Sequence, residues 1–214
     1  AAPGTPLPPA PPASELTPAQ ALQLLREGNA SFLRGEQPSG ISNAQRRLEL
    51  ARGQAPFAAY VTCSDSRVPP ELLFGRGLGE LFIIRNAGNM VPAGNVEGCS
   101  ELASLEFAVC ALKTPHLIVC GHSDCGAIKA CLSPETVQGF DHLPGWIENG
   151  IQGLNDHIGG ASNLDKAIEM NVLHQIKVLR KLKFIQSRED AGELSLHGWV
   201  YDIASGSINE LKID

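Results

Sequence analysis

Two short apolar runs, each closed by a cluster of metal-type side chains, constrain this chain more than any other feature. Phe57–Thr62 leads into Cys63-Ser64-Asp65-Ser66-Arg67, and His116–Cys120 leads into Gly121-His122-Ser123-Asp124-Cys125-Gly126. Both runs have strand character. Open α/β sheets gather their ligands at the carboxyl ends of their strands. Cys, Asp, His and Cys at two such ends therefore point to one site on one edge of a parallel sheet.

The surrounding pattern agrees with that fold class. Strands expected at Phe57–Thr62, Leu81–Arg85, His116–Cys120 and Leu194–Asp202 alternate with helices expected at Glu97–Leu112, from Gly126 onward, and over Leu164–Ile185. Strands with intervening helices predict a mostly parallel central sheet flanked by helices. Ahead of the sheet, Thr17, Pro18 and Gln20 form a capping-box start for a helix running to about Arg34. A short polar helix is expected over Asn43–Arg52, and Val68-Pro69-Pro70-Glu71 opens another. Residues 133–163 read as a loop with an amphipathic helix around Trp146–Ile158, and Ile208–Ile213 as a terminal strand or tail.

Residues 1–14 hold six prolines and no charge, the composition of an extended arm rather than a core element. Residues 15–214 read as a single domain, with no internal repeat. The first apolar-rich helix begins only near Leu16 and carries charges, so no signal peptide is expected. No apolar run approaches the roughly 20 residues of a membrane span. A net charge of −6 gives no basic footprint for nucleic acid. A soluble protein follows, cytoplasmic by default, with periplasm or organelle stroma left open by the Pro-rich arm.

Six cysteines without regular spacing, in a chain of 214 residues, read as reduced thiols rather than a disulfide framework. Cys99, Cys110, Cys120 and Cys131 are expected as small buried hydrophobes. Cys63, His122 and Cys125 are different. Together they offer zinc three ligands and leave its fourth position to water, the pattern of a catalytic site. Asp65 and Arg67 follow Cys63 at alternate positions and can face the same site. Asp65 can orient water on the metal, with Arg67 gripping it bidentately, or it can bind the zinc itself and close the site. A closed structural zinc site is the rival, but it has no need of an Asp–Arg pair.

At these residues the chain resembles the β-class carbonic anhydrases, in the plant and cyanobacterial branch. Cys63–Arg67, Arg85-Asn86-Ala87-Gly88-Asn89 and Gly121–Gly126 match that family's three signature blocks. Trp146-Ile147 and His197–Asp202 extend the likeness, which covers about residues 17–213. The resemblance implies reversible hydration of CO2 to bicarbonate and a proton by zinc-bound hydroxide. It implies Zn2+ on Cys63, His122 and Cys125, with Asp65–Arg67 as a gating dyad. Gln54 is implied as a substrate-binding amide acting across a dimer interface, Phe82 as a wall of the CO2 pocket, and the Gly126 amide as a donor to bicarbonate. A homodimer exchanging N-terminal helices is implied, assembling further into a tetramer or larger.

The chain also departs from the family pattern. Phe107 stands where the plant branch often has tyrosine, and Ala111 offers no histidine shuttle. Tyr60 replaces the tryptophan of the bicarbonate-inhibited bacterial branch, and His116, His142, His157, His174 and His197 read as structural or surface groups. Two other functions fit the same residues: hydrolysis of CS2 or COS on this fold, or a non-catalytic, zinc-stabilised binding protein.

Overall fold

In the computed structural model, which describes residues 16–36, 42–93, 96–155 and 163–213, β1 (Ala58–Cys63) lies between β2 (Leu81–Asn86) and β3 (His116–His122). Beyond β3 come β4 (Ser195–Tyr201) and then β5 (Ile208–Leu211), giving the order β2-β1-β3-β4-β5. All neighbours are parallel except β4 and β5, which form an antiparallel pair. This is the expected α/β fold with a mostly parallel central sheet. The Pro-rich arm expected over residues 1–14 lies outside the described residues, as does His157.

Every residue of β1 and β3 is buried. Helices cover both faces of these central strands, which is why they read as nearly continuous apolar runs rather than as alternating ones. The pleat still sorts their side chains. Tyr60, Ile118 and Trp199 join a core with Leu25 and Phe74 on one face. Ala59, Val61, Leu117 and Val119 join Leu105, Val109, Val172 and Ile176 on the other.

Helix α1 (Pro18–Leu33) starts with the predicted capping box. It docks through an Arg26–Glu210 fork at 2.8 and 2.9 Å, and through Asn29 Nδ2 donating to the Gly206 carbonyl at 2.9 Å. Gly28 lets it approach α3 (Pro70–Leu73): a Cβ there would stand 1.8 Å from the Phe74 carbonyl oxygen. A second short helix, α2 (Ala44–Leu50), is capped by the Asn43 side chain.

Other elements differ from the expectation. The helix expected over Glu97–Leu112 starts at Ser100 as α4 (Ser100–Glu106), after Gly98 takes φ +73°. It continues as a π turn over Phe107–Ala111. Thr114 returns its backbone N–H and hydroxyl to the Ala108 carbonyl, and Arg188 donates to the Val109 carbonyl. Cys110, expected buried, is exposed, because Ala108 and Val109 occupy the core-facing side of this turn.

The helix expected over Leu164–Ile185 is two helices, α7 (Leu164–Arg180) and α8 (Lys183–Asp190). Leu182, extended at ψ 120°, breaks them. The bend lets Leu179 and Ile185 enter the same core. Between β3 and α7 lie α5 (Gly126–Leu132), a 3-10 turn at Pro134–Val137, and α6 (Leu143–Asn155). The last residues of the helix expected over Trp146–Ile158 lie outside the described residues. Among the described residues no helix is long and apolar enough to cross a membrane.

Candidate metal centre

Cys63 is the last residue of β1 and His122 the last of β3. These strands are adjacent and parallel, so both side chains emerge at the carboxyl edge of the sheet. Cys125 follows three residues later as the N-cap of α5. Asp124, at φ +60°, turns the chain between them, a left-handed conformation that Asp tolerates better than most residues. The Ser123 amide donates to the Tyr201 carbonyl at 2.9 Å, which ties this turn to β4.

The ligand atoms of Cys63, His122 and Cys125 all lie within 4.8 Å of one another, and all three residues are buried. His122 Nδ1 is 2.9 Å from the Ser123 carbonyl. A carbonyl only accepts, so Nδ1 carries the proton and Nε2 presents its lone pair. That Nε2 is buried and has no hydrogen-bond partner. A lone pair held there beside two sulfurs is what a soft or borderline cation requires, and the histidine–carbonyl bond is a customary orienting contact for such a ligand.

The two thiols divide their roles. Cys63 is held well below the ordinary thiol range, first by a hydrogen bond from Cys125, against the cost of burial, then by the neighbouring His122 ring and by the Gly88 and Asp65 amides. Cys125 is pushed up by that same bond and by burial. A divalent cation can replace the proton between them and neutralise both thiolates. The residues present therefore fit zinc, by donor chemistry and by the unpartnered Nε2.

Asp65 stands next to the three ligands and outside their cluster. Its Oδ2 is 3.9 Å from His122 Nε2. Arg67 takes both carboxylate oxygens, Nε to Oδ1 at 2.9 Å and Nη2 to Oδ2 at 2.7 Å, and adds its backbone amide to Oδ1 at 2.9 Å. The Arg67 hydrogen bonds hold this carboxyl well below the usual carboxylate range. Arg67 also reaches Asp124 Oδ2 at 3.1 Å, and Lys129 pairs with the other Asp124 oxygen. Arg85 braces the turn from beneath, donating to the Cys63 carbonyl at 2.9 Å and the Asp65 carbonyl at 2.6 Å.

The remaining predicted residues lie around this centre. Gly126 opens α5, exposed, with nothing within 4 Å of where a Cβ would stand. It lines a cavity of about 380 Å³ together with Ala87, Ala127, Lys129 and Leu143. Phe82 lies on β2 and packs on Phe107, ring centroids 6.0 Å apart; it is not among the residues lining that cavity. Gln54 is exposed between α2 and β1. Tyr60 is fully buried against Phe74 and Trp199. Sequence reasoning assigned no role to Arg85, Gly88, Trp146, Asn171 or Gln175, which hold the site in place. Arg85, Gly88 and Trp146 lie in stretches that carry the family likeness, but the contacts that give them their roles cross wide gaps in sequence.

Fold and site together define an α/β protein with a cysteine–histidine metal centre at the carboxyl edge of a parallel sheet. Residues 58–208 match the family model described as carbonic anhydrase. A carbonic anhydrase of Pseudomonas aeruginosa is 40% identical over 185 residues, covering 84% of each chain. The solved β-carbonic anhydrase CcaA superposes with a TM-score of 0.73 at 35% identity, over 89% of this chain and 95% of that one. A tetrameric β-carbonic anhydrase of Sordaria macrospora gives 0.66 at 31% identity, over 79% of this chain and 87% of that one. The chain belongs to the carbonic anhydrase family, in its β class.

Proposed function

We propose that this chain catalyses the reversible hydration of CO2 to bicarbonate and a proton, with zinc held by Cys63, His122 and Cys125. The observation that carries this reading is the unpartnered His122 Nε2, turned toward two buried thiols beside an Arg-bound carboxylate. When bound, zinc supplies a Lewis acid that makes water nucleophilic near neutral pH. The chain's own residues do the rest. Arg67 keeps Asp65 ionised and holds both its oxygens, so Asp65 accepts a hydrogen bond instead of taking a proton outright. With Arg67 engaged, Asp65 is held out of the ligand set, and the arrangement corresponds to the open form. Release of Arg67 would free Asp65 to close the site.

The open space beside Gly126, next to Cys125 at the start of α5, leaves room for a bicarbonate oxygen. Roles for Gln54 and Phe82 in binding substrate rest on the family pattern and, for Gln54, on a partner subunit. A homodimer or tetramer is proposed in line with the tetrameric Sordaria relative.

The test is stopped-flow CO2 hydration from about pH 6.5 to 9, with zinc determined on the same sample. Hydration with one zinc per chain is the expected result. Zinc without hydration at any pH would overturn the reading and send the search to CS2, COS or a structural role.

A further inference from the structure

One peptide unit links a tryptophan to a metal-ligand sulfur. The Gly88 N–H donates to Cys63 Sγ at 3.4 Å. The carbonyl of that same peptide, on Ala87, accepts from Trp146 Nε1 at 2.7 Å. In a trans peptide the C=O and N–H point in opposite directions. Indole, peptide and sulfur therefore form one hydrogen-bonded line, and donation to the carbonyl strengthens the N–H as a donor.

The peptide has little freedom to do anything else. It lies just past the end of β2, where no sheet ladder holds it. Gly88 has φ +82°, and a Cβ there would stand 2.7 Å from Met90 Cε and 3.0 Å from Ala127 Cβ. Asn171 Nδ2 donates to the Gly88 carbonyl at 3.0 Å, and Gln175 Nε2 holds Asn171 Oδ1 at 2.9 Å. Gln175 Oε1 accepts from the Val91 amide at 2.8 Å. The Asn86 side chain brackets Met90, accepting from its amide and donating to its carbonyl. With both ends of the strap clamped, the indole N–H is, among the described residues, the side-chain donor on the peptide that faces the sulfur.

We propose that Trp146 is a positioning residue for the metal ligand Cys63. Through the Ala87–Gly88 peptide it sets the strength of the N–H···S bond, and so the electron density the sulfur gives the metal. This rests on the reading of Cys63, His122 and Cys125 as the zinc site. An N–H···S bond lowers the energy of the sulfur lone pair. Its weakening raises that energy and makes the thiolate a stronger donor to the metal.

The test is the cobalt(II)-substituted protein, compared with its Trp146→Phe variant, which keeps an aromatic ring and loses the donor. In the variant the thiolate-to-cobalt charge-transfer band should move to longer wavelength. A purely packing role for Trp146 would lower the melting temperature and leave the band where it is. An unshifted band in the folded variant overturns the proposal. If Trp146→Phe does not fold, tryptophan replaced by its benzothiophene isostere, which lacks the N–H, gives the same comparison. Wild-type protein showing no thiolate–cobalt band at all would instead refute the metal-centre reading itself.

Discussion

Arg67 places three donors on Asp65, two from its guanidinium and one from its backbone, while Asp65 Oδ2 stays 3.9 Å from His122 Nε2. The carboxylate thus lies beside the Cys63–His122–Cys125 cluster and outside it. Two residues of separation are what allow a single side chain to close this ring over its own turn. Arg85, holding the Cys63 and Asp65 carbonyls, keeps the turn from opening.

Arg67→Gln should free Asp65 from that grip. The expected outcome is a fall in kcat of about 10- to 100-fold with zinc content unchanged, the range for loss of an outer partner at a metal site. Asp65→Asn should likewise cripple turnover while leaving zinc bound. Full hydration activity in either variant, measured by stopped flow, would remove the dyad from the mechanism.

Removing the metal should lower stability, because zinc binds the folded ligand set and hardly the unfolded chain. Chelator-treated protein should melt at a lower temperature than the zinc form, and stoichiometric zinc should restore it. In Cys63→Ser the melting temperature should no longer respond to added zinc. A melting point indifferent to chelation in the wild type would count against a buried zinc site.

The clustering of Cys63, His122 and Cys125 was legible in the sequence because local spacing encodes it. Cys63 and His122 each end an apolar run, and Cys125 lies within one turn of His122. The capping box at Thr17 was legible for the same reason. The break between α7 and α8 was not: Arg180-Lys181-Leu182-Lys183 contains no breaker, and the bend comes from burying Leu179 and Ile185 in one core. The π turn at Phe107–Ala111 depends on Thr114 and on Arg188, which is distant in sequence. Trp146 meets Ala87 across 59 positions, and Asn171 meets Gly88 across 83. Such contacts belong to tertiary packing, and no period of 2 or 3.6 residues carries them.

Acid should destabilise the fold through a histidine pair remote from the metal. His116 Nε2 is 2.7 Å from the Pro18 carbonyl at the start of α1, so that nitrogen carries the proton. His116 Nδ1 must then accept from His197 Nε2, 3.0 Å away. Burial, then His116 and Arg26, push His197 down to about 4, against the opposite pull of Glu210. Burial lowers His116 as well, against its bond to the Pro18 carbonyl. Because the folded pKa of His197 lies below the unfolded value of about 6.5, the unfolded chain takes up protons first as pH falls. The stabilising contribution is therefore complete above about pH 6.5 and is lost progressively toward pH 4. It amounts to at most about 3 kcal/mol, of which about 2 kcal/mol disappears between pH 7 and 5. Urea unfolding at those two pH values should show the loss in the wild type and a smaller one in His197→Gln. Equal pH slopes in the two proteins would refute the assignment.

Gly28→Ala should test how tightly α1 is seated. The new Cβ would lie 1.8 Å from the Phe74 carbonyl oxygen and 2.5 Å from its carbon, so a methyl group meets backbone rather than a movable side chain. No rotamer can relieve that, because the alanine Cβ is fixed by its own helix and Phe74 C-caps α3. Alanine would otherwise favour this helix by about 1 kcal/mol over glycine. The clash reverses that sign: helix and carbonyl must separate, which strains the Asn29 bonds to Leu73 and Gly206 one residue away. Overpacking of this kind costs about 1–3 kcal/mol, and the immovable partner puts Gly28→Ala at the upper end. Equilibrium urea unfolding reads the loss directly. A variant as stable as the wild type would mean that α1 docks more loosely on α3 than this contact requires.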